Sequence, residues 1–147
     1  MAWVKVDSGN LGYLTIAGED VSCKIYLQNG NEPCFSIKTT GNTTKVVSSA
    51  PINFDEWHHI TGTYSNISGA LKLYIDGNLV NTLNTLPTVT TIASTANGND
   101  AFEIGRASSN IANREYFKGE IDEVRVFNTV LTDDQLQRMV YQEIQNN

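Results

Sequence analysis

Hydrophobic and polar residues alternate in the central part of the chain. Leu71, Leu73 and Ile75 are separated by Lys72 and Tyr74, and this period of two is typical of a β-strand with one face on a core. We therefore expect the three aliphatic side chains to be buried. The opposite face of the strand is expected to be at least partly in contact with water.

Turn signals divide the chain before residue 128 into short segments, and their regular spacing is typical of a β-sandwich. They are Asn29-Gly30, Gly41-Asn42, Asp76-Gly77 and Asn97-Gly98. Asp76-Gly77 suits a two-residue hairpin turn, because Gly adopts positive φ without strain and Asp tolerates it. The pattern predicts a three-stranded meander made of Trp57–Tyr64, Leu71–Ile75 and Asn78–Val80.

Two more strands are predicted at residues 101–105 and 119–127. In the second of these strands, Ile121 and Val124 are out of phase for a regular alternation. This predicts either a β-bulge at Asp122-Glu123 or a strand that is covered on both faces.

The periodicity becomes helical near the end of the chain. Thr132-Asp133-Asp134-Gln135 is typical of a capping box, and its two carboxylates suit the first turn of a helix. One apolar stripe follows, formed by Leu136, Met139, Val140 and Ile144. The fold class predicted from these patterns is all-β, an antiparallel β-sandwich with a short C-terminal helix packed on it.

Size and charge narrow the range of functions. The 147 residues suit one domain with a single core. The net charge is -6 and the 10 basic residues are scattered, whereas nucleic-acid binding needs clustered Lys and Arg, so we expect no nucleic-acid partner. No apolar run approaches the ~20 residues that cross a bilayer, so no membrane insertion is expected. The first residues also lack the pattern of a signal peptide.

The two cysteines allow two interpretations. Cys23 and Cys34 flank Asn29-Gly30, so an antiparallel hairpin would place them opposite or nearly opposite each other. A cross-strand disulfide is one interpretation. The other is a pair of ordinary free thiols, because two cysteines do not make a disulfide scaffold.

Two long phrases of the sequence resemble the laminin-G-like members of the concanavalin-A-like lectin and glucanase jelly-roll family. The first is Trp57–Tyr64 followed by Leu71–Gly77, and the second is Phe102–Gly105 followed by Phe117–Asn128. The resemblance implies a jelly-roll sandwich that covers residues 1–147 as a single domain. It also favours an extracellular or cell-surface location. The function is less specific, because this fold hosts lectin-like, adhesive, scaffolding and hydrolytic proteins.

The start of the chain departs from the family pattern. Ala2–Lys5 resembles an internal strand of the family, which further strand-forming sequence usually precedes. We therefore expect the domain to lack its first strand or strands. An exposed sheet edge would then recruit a partner strand or a second copy of the chain, which makes a homo-oligomer an expected partner state.

The family resemblance also raises hydrolysis as a function. Glucanases of this fold place their catalytic carboxylates on one strand as Glu-x-Asp-x-x-Glu. Here Glu120 and Asp122 share one face, but Glu123 faces away and Arg125 takes the position of the second Glu. A retaining glycosidase needs two carboxyl groups about 5 Å apart. We therefore expect no catalytic residues and no enzymatic activity.

Calcium is the cofactor that the family resemblance favours, because jelly-roll domains commonly carry it in loops rich in Asp and Asn. Asn97 and Asp100 offer hard oxygen ligands of this kind, and Asp122 adds a further one. The alternative for the first two residues is a plain turn. Adjacent His58 and His59 point to opposite faces of a strand, so they cannot both ligate one zinc ion.

The candidate ligand-binding residues are exposed aromatic and planar polar side chains, which stack on a sugar or hydrogen-bond to it. They are Tyr13 and four residues of the polar loop at 106–116, namely Asn113, Arg114, Glu115 and Tyr116. The alternative is that Tyr116 and Phe117 only cover the edge of the sandwich. Trp57, Phe102 and Phe127 are predicted to belong to the core.

Three functions follow from the sequence. The first is a non-catalytic recognition domain that binds a carbohydrate in the manner of a lectin, with a glycan as its partner. The second is a protein-interaction or adhesion module of the same fold, with an extracellular protein as its partner. The third is a glycoside hydrolase of the glucanase type, which needs a second carboxylate that the pattern does not offer.

Overall fold

The computed structural model of the protein describes residues 1–19, 22–41, 43–84, 92–93, 101–106 and 115–146. Ten strands and one helix lie in these residues. They are β1 (Ala2–Val6), β2 (Leu14–Gly18), β3 (Cys23–Gln28), β4 (Glu32–Lys38), β5 (Thr44–Ser48), β6 (Trp57–Ser65), β7 (Ala70–Ile75), β8 (Asn78–Asn84), β9 (Glu103–Ile104), β10 (Gly119–Asp122) and α1 (Asp133–Asn146).

The strands form two antiparallel sheets that face each other across one core. Sheet A has the order β10-β1-β6-β7-β8 and sheet B has the order β5-β4-β3-β2-β9. The core between them includes Val4, Ile60 and Leu73 from sheet A and Ile16 and Leu27 from sheet B. The prediction of an all-β antiparallel sandwich with a C-terminal helix is confirmed.

The first strand, β1, lies inside sheet A between β10 and β6. Ala2–Lys5 therefore forms part of a strand that has a neighbouring strand on each side. That the domain lacks a first strand, and that residues 1–147 form one domain, stay predictions.

The predicted three-stranded meander is present as β6, β7 and β8. Asp76 and Gly77 have φ angles of 52° and 78°, and they join β7 to β8 as a two-residue turn. Leu71 and Leu73 are fully buried, and Ile75 packs partly buried against the core. These predictions are confirmed.

The face of β7 that points away from the core is partly in contact with water, as expected, because the Lys72 side chain is 31% exposed. Tyr74 on the same face is buried. Its side chain is 1% exposed, and its hydroxyl donates a hydrogen bond of 2.7 Å to Asp133 Oδ1 at the start of α1. The alternation in β7 correctly placed Tyr74 on the face away from the core. It carried no information on the helix that covers this face.

The start of α1 has the predicted capping box. Gln135 N donates to Thr132 Oγ1 at 3.2 Å, and Thr132 N donates to Gln135 Oε1 at 2.8 Å.

In the described part of the chain, no helix has both the length and the apolar character that a bilayer crossing needs.

The apolar stripe of α1 is shorter than predicted. Leu136 and Val140 are buried against sheet A, whereas Ile144 is 53% exposed. Glu143 takes the inward position instead, because its carboxylate accepts a hydrogen bond of 2.6 Å from Trp3 Nε1 and another from Arg125 Nη1. The expectation of one continuous stripe through Ile144 is therefore wrong at its last turn.

The closing strand contains the predicted bulge. Trp3 lies opposite Asp122, but Met1 exchanges backbone hydrogen bonds with Arg125, at 3.0 Å and 2.9 Å. One extra residue therefore lies between these two pairs, and Glu123 within it has a φ of 50°. Because of this bulge, β10 ends at Asp122, which is earlier than the predicted residue 127.

The prediction that three aromatic residues belong to the core is wrong. Trp57, Phe102 and Phe127 are 41%, 44% and 42% exposed. Trp57 lies opposite Lys5, whose ammonium is 5.6 Å from its ring centroid. Phe102 precedes β9, and Phe127 follows the end of β10 at Asp122 and the last backbone pair, which joins Met1 to Arg125.

The hairpin of β3 and β4 excludes the cross-strand disulfide. Cys34 lies opposite Tyr26, whereas Cys23 lies opposite Ile37. Because Cys23 and Tyr26 are three residues apart on one strand, the two thiols point to opposite faces of sheet B. Both cysteines are free, and burial raises the pKa of each thiol.

Candidate functional site

The face of sheet B that points away from the core is lined by polar side chains. We call it the outer face. Ile25 and Leu27 point into the core from β3, so Lys24 and Tyr26 between them lie on the outer face. The register extends this face across neighbouring strands to Thr15, Cys34 and Ser36.

Tyr13 is the exposed aromatic side chain of this face. It precedes β2, and its ring centroid is 5.9 Å from that of Tyr26. Tyr13 is 55% exposed and Tyr26 is 7% exposed, so Tyr26 supports the ring that Tyr13 presents to solvent. Lys24 Nζ lies 4.9 Å from the Tyr26 ring centroid, and burial raises the pKa of the Tyr26 phenol.

Glu115 attaches its own part of the chain to this face. Its Oε2 accepts hydrogen bonds of 2.9 Å from both Thr15 Oγ1 and Lys24 Nζ. The backbone repeats the attachment, because Thr15 N donates to Glu115 O at 2.9 Å. The Glu115 and Lys24 side chains are only 25% and 16% exposed, so this is a largely desolvated pair and not a loose surface contact.

The loop that carries Tyr13 is fixed by backbone contacts. Gly30 N donates to Gly12 O at 2.9 Å, and Asn10 Nδ2 donates to Asp7 O at 2.6 Å. A Cβ on Gly30 would lie 2.2 Å from Asn10 O, so the turn between β3 and β4 can pack this closely only with glycine. The Tyr13 ring is therefore presented on a preorganised loop.

Carboxamide and carboxylate groups lie at the same end of the outer face. Gln28 Nε2 and Asn29 Nδ2 each donate a hydrogen bond of 3.0 Å to Glu32 Oε2. Gln28 lies opposite Glu32 and two residues from Tyr26, so both share its face. We call the whole group the Tyr13 surface; it consists of Tyr13, Thr15, Lys24, Tyr26, Gln28, Glu32 and Glu115.

The predicted ligand-binding residues are partly brought together. Tyr13 and Glu115 both belong to the Tyr13 surface, and Tyr116 is 51% exposed next to it in sequence. Asn113 and Arg114 lie outside the described residues. The sequence analysis missed Tyr26, although the alternation of polar and aliphatic residues in β3 is a signal that could have placed it on this face.

The predicted metal ligands do not meet within the described residues. Asn97 and Asp100 lie outside those residues. Asp122 is exposed on β10, and its Oδ1 accepts a hydrogen bond of 2.7 Å from Glu123 N. No group of three His, Cys, Asp or Glu side chains suited to a metal occurs in the described part of the chain.

The two adjacent histidines point to opposite faces, as predicted. His59 is 1% exposed, and its ring lies 5.2 Å from that of Trp3. His58 Nδ1 is 2.9 Å from Asp76 Oδ2. Burial lowers the pKa of His59 to about 4, which keeps its imidazole neutral near pH 7.

The carboxylates that raised the hydrolase hypothesis lie on the other sheet. Glu120 and Asp122 belong to β10 and lie opposite Lys5 and Trp3, so they share one face, as the alternation predicted. Glu120 forms an ion pair with Lys5. Glu123 pairs with Arg125 at 2.6 Å. The ion pair between Lys5 and Glu120 joins β10 to β1 at the edge of sheet A.

A cavity of about 640 Å³ opens between the two sheets at one end of the sandwich. Core side chains such as Ile25 and Phe35 form part of its wall. Several exposed apolar residues surround it, namely Ile67, Phe102, Val126, Phe127 and Val130. An exposed apolar patch of this kind is typical of an interaction surface.

Comparison with solved structures finds the same fold in binding proteins. The chain is 15% identical to the CBM40 domain of the Ruminococcus gnavus IT-sialidase, a structure with bound α2,3-sialyllactose; the match covers 95% of this chain and 79% of that one, with a TM-score of 0.75. It is 21% identical to a candidate carbohydrate-binding protein from Bacteroides ovatus, with 93% and 38% covered and a TM-score of 0.74. It is 16% identical to the binding domain of botulinum neurotoxin serotype G, with 97% and 35% covered and a TM-score of 0.65.

The chain thus spans little more than a third of the Bacteroides and neurotoxin chains. A search of curated protein sequences gave no match. A sequence profile described as the concanavalin A-like lectin/glucanases superfamily matches residues 1–137. The chain therefore belongs to the concanavalin A-like lectin and glucanase superfamily.

Proposed function

We propose that this domain is a non-catalytic recognition module that binds a glycan at the Tyr13 surface. The observation that carries the proposal is the half-exposed Tyr13 ring, which rests on buried Tyr26 at the end of a fixed loop. The carbohydrate-binding proteins among the structural neighbours support a function of this class.

The chemistry of the surface suits a sugar. The apolar face of a pyranose ring packs on an aromatic ring, and the hydroxyl groups at its rim bond to carboxylates and carboxamides. Gln28, Glu32 and Glu115 supply such groups around Tyr13. Because Tyr13 is already oriented in the free protein, binding costs little side-chain entropy.

A glycan array followed by calorimetry with the strongest hit tests the proposal. Tyr13→Ala should weaken binding about threefold to tenfold, which corresponds to one aromatic contact. Tyr141→Ala is the matched control, because Tyr141 is 65% exposed on α1, over the other sheet. Wild-type affinity in Tyr13→Ala would move the site elsewhere, and no binding to any glycan would overturn the function.

The loop residues predicted from the sequence belong to the same proposal. We propose that Asn113, Arg114, Glu115 and Tyr116 contact the ligand beside Tyr13. Glu115 also orients Lys24 and Thr15. Asn113→Ala and Arg114→Ala should then lower glycan affinity without changing the melting temperature. Glu115→Gln should lower both. Unchanged affinity in the first two variants would limit the site to Tyr13 and its neighbours.

We also propose that Asn97, Asp100 and Asp122 bind a structural calcium ion, because their oxygens are the ligands that calcium prefers. The melting temperature should then be higher in calcium than in chelator, and Asp122→Asn should reduce that difference. Glu120→Gln on the same strand is the control. An equal melting temperature in calcium and chelator would refute the site.

The cavity at the open end of the sandwich favours protein binding as a second candidate function. Phe127 and Val126 are 42% and 74% exposed beside it, and β10 is an end strand of sheet A. We propose that a second copy associates through this edge. Sedimentation should show a dimer that Val126→Lys disrupts and Leu79→Lys, on β8, does not. A monomer at high concentration would refute the association.

A further inference from the structure

The loop at residues 7–13 joins β1 to β2 and carries Tyr13; we call it the Tyr13 loop. It has a single buried residue, Asn10, which is 6% exposed, whereas its other residues are exposed. We infer that Asn10 positions the Tyr13 ring for binding without touching the ligand itself. The inference rests on the proposed glycan-binding function and names a residue on which the affinity of that site depends.

The Asn10 side chain attaches the Tyr13 loop to the chain segment that leads into β10. Its Nδ2 donates to Asp7 O at 2.6 Å and to Lys118 O at 3.4 Å. Lys118 O also accepts a hydrogen bond of 3.1 Å from Asp7 N. Because a carboxamide nitrogen carries two hydrogens, one side chain closes the loop on itself and also fixes it to a segment 108 residues further along the chain.

The backbone of Asn10 lies directly against the turn between β3 and β4. A Cβ on Gly30 would collide with Asn10 O, so the two segments are in close contact at this point. Gly30 N also donates to Gly12 O at 2.9 Å, one residue before Tyr13. The position of Asn10 therefore determines where the chain passes the hairpin, and with it the point from which the Tyr13 ring reaches Tyr26.

The rest of the Tyr13 loop does little to fix its own conformation. Gly9 and Gly12, on either side of Asn10, have φ angles of 80° and 86°, and glycine populates positive and negative φ about equally. The other side chains of the loop are exposed, so they pack little against the sheets. Without the bonds of Asn10, ligand binding would have to order the loop, and immobilising one side chain weakens affinity about twofold to tenfold.

The experiment is a double-mutant cycle on the glycan that the array identifies. Asn10→Ala should weaken its affinity about twofold to tenfold in calorimetry well below the melting temperature. Because the effect runs through Tyr13, the double variant should bind no more weakly than Tyr13→Ala alone. A residue that only stabilises the fold would leave the affinity of the folded protein unchanged, and a residue that contacts the ligand would give additive losses. Either result would overturn the inference.

Two further variants control for side-chain size and for the loss of a hydrogen bond. Asn10→Asp keeps the shape of the side chain, but its carboxylate cannot donate to the two carbonyls. It should weaken binding as Asn10→Ala does, and wild-type affinity in Asn10→Asp would overturn the inference even if Asn10→Ala does not fold. Asn81→Ala removes a bond of 2.7 Å to Ser48 O between β8 and β5 and should leave affinity unchanged. An equal loss in this control would overturn the role of Asn10.

The free protein gives a readout that needs no ligand. The ring centroids of Tyr13 and Tyr26 are 5.9 Å apart, so NMR should show contacts between their ring protons in the wild type and lose them in Asn10→Ala. Ring contacts that persist in Asn10→Ala would overturn the inference whether or not a glycan binds. Binding that depends on Tyr13 but not on Asn10 would overturn the inference alone. Failure of every glycan to bind would overturn the proposed function and the inference together.

Discussion

His59 makes the folded state sensitive to acid. It is 1% exposed beneath α1, where its Nδ1 lies 3.3 Å from Thr61 Oγ1. Burial lowers its pKa from 6.5 to about 4, although the carboxylates of Glu143 and Asp76 act in the opposite direction. We predict that this one side chain makes the domain progressively less stable as the pH falls below neutrality.

The sign and the size follow from proton linkage. Between pH 6.5 and pH 4 the unfolded chain binds a proton at His59 that the folded chain does not bind. The free energy of unfolding therefore falls as the pH falls through this window, and it is unaffected by His59 near pH 7 and above. The two pKa values differ by about 2.5, which corresponds to roughly 3 kcal/mol lost by pH 4.

The assay is urea denaturation between pH 4 and pH 7, with His59→Gln compared with the wild type. Gln keeps a polar side chain next to Thr61 but does not titrate, so the variant should lose much less stability toward pH 4. Val140→Ala is the control, because it weakens the packing of α1 without changing a titrating group. Parallel pH profiles for wild type and His59→Gln would refute the reasoning.

Three further predictions concern the scaffold. Gly77→Val should lower the urea midpoint, corresponding to at least ~1 kcal/mol, because its φ of 78° strains a branched side chain. Gly62→Ala should lower the melting temperature by several degrees, because the new Cβ would lie 2.2 Å from Phe35 Cγ, an overpacking that costs about 1–3 kcal/mol. Tyr74→Phe should cost about 1 kcal/mol in urea denaturation by removing the bond to Asp133.

The sequence predicted features that are decided locally. The meander depends on an alternation within β7 and on Asp76-Gly77, whose positive φ angles are properties of a single turn. The capping box of α1 is local in the same sense, because Thr132 and Gln135 bond to each other. Such features need no knowledge of the rest of the fold.

The sequence could not predict contacts that depend on the docking of distant segments. Trp57 was assigned to the core, but its place opposite Lys5 is set by the pairing of β1 with β6. Ile144 fitted the helical stripe, but Glu143 occupies the inward position through its contacts with Trp3 and Arg125. Side-chain type alone does not distinguish these outcomes.

The candidate site also contains both a residue that the sequence predicted and contacts between distant segments that it could not predict. Tyr13 was chosen from the sequence as an aromatic side chain that could stack on a sugar. Its support by Tyr26 depends on the register of β2 and β3, which shifts between Thr15 and Ala17 at an irregularity that the sequence does not announce. Lys24 and Glu115 are in contact although they lie 91 residues apart in the sequence. Only the folded sandwich brings these side chains together.

We propose that the two outer faces of the sandwich have different roles, one in stability and the other in glycan binding, and these roles can be separated by experiment. α1 covers the outer face of sheet A, where it buries His59 and Tyr74, so substitutions there act on stability. Tyr13 stands on the outer face of sheet B, the sheet on the other side of the sandwich from α1. At pH 7, where His59 is neutral in both states, His59→Gln should leave glycan affinity unchanged, whereas Tyr13→Ala should lower affinity while preserving the pH profile of unfolding. A coupled loss of both properties in either variant would contradict this division.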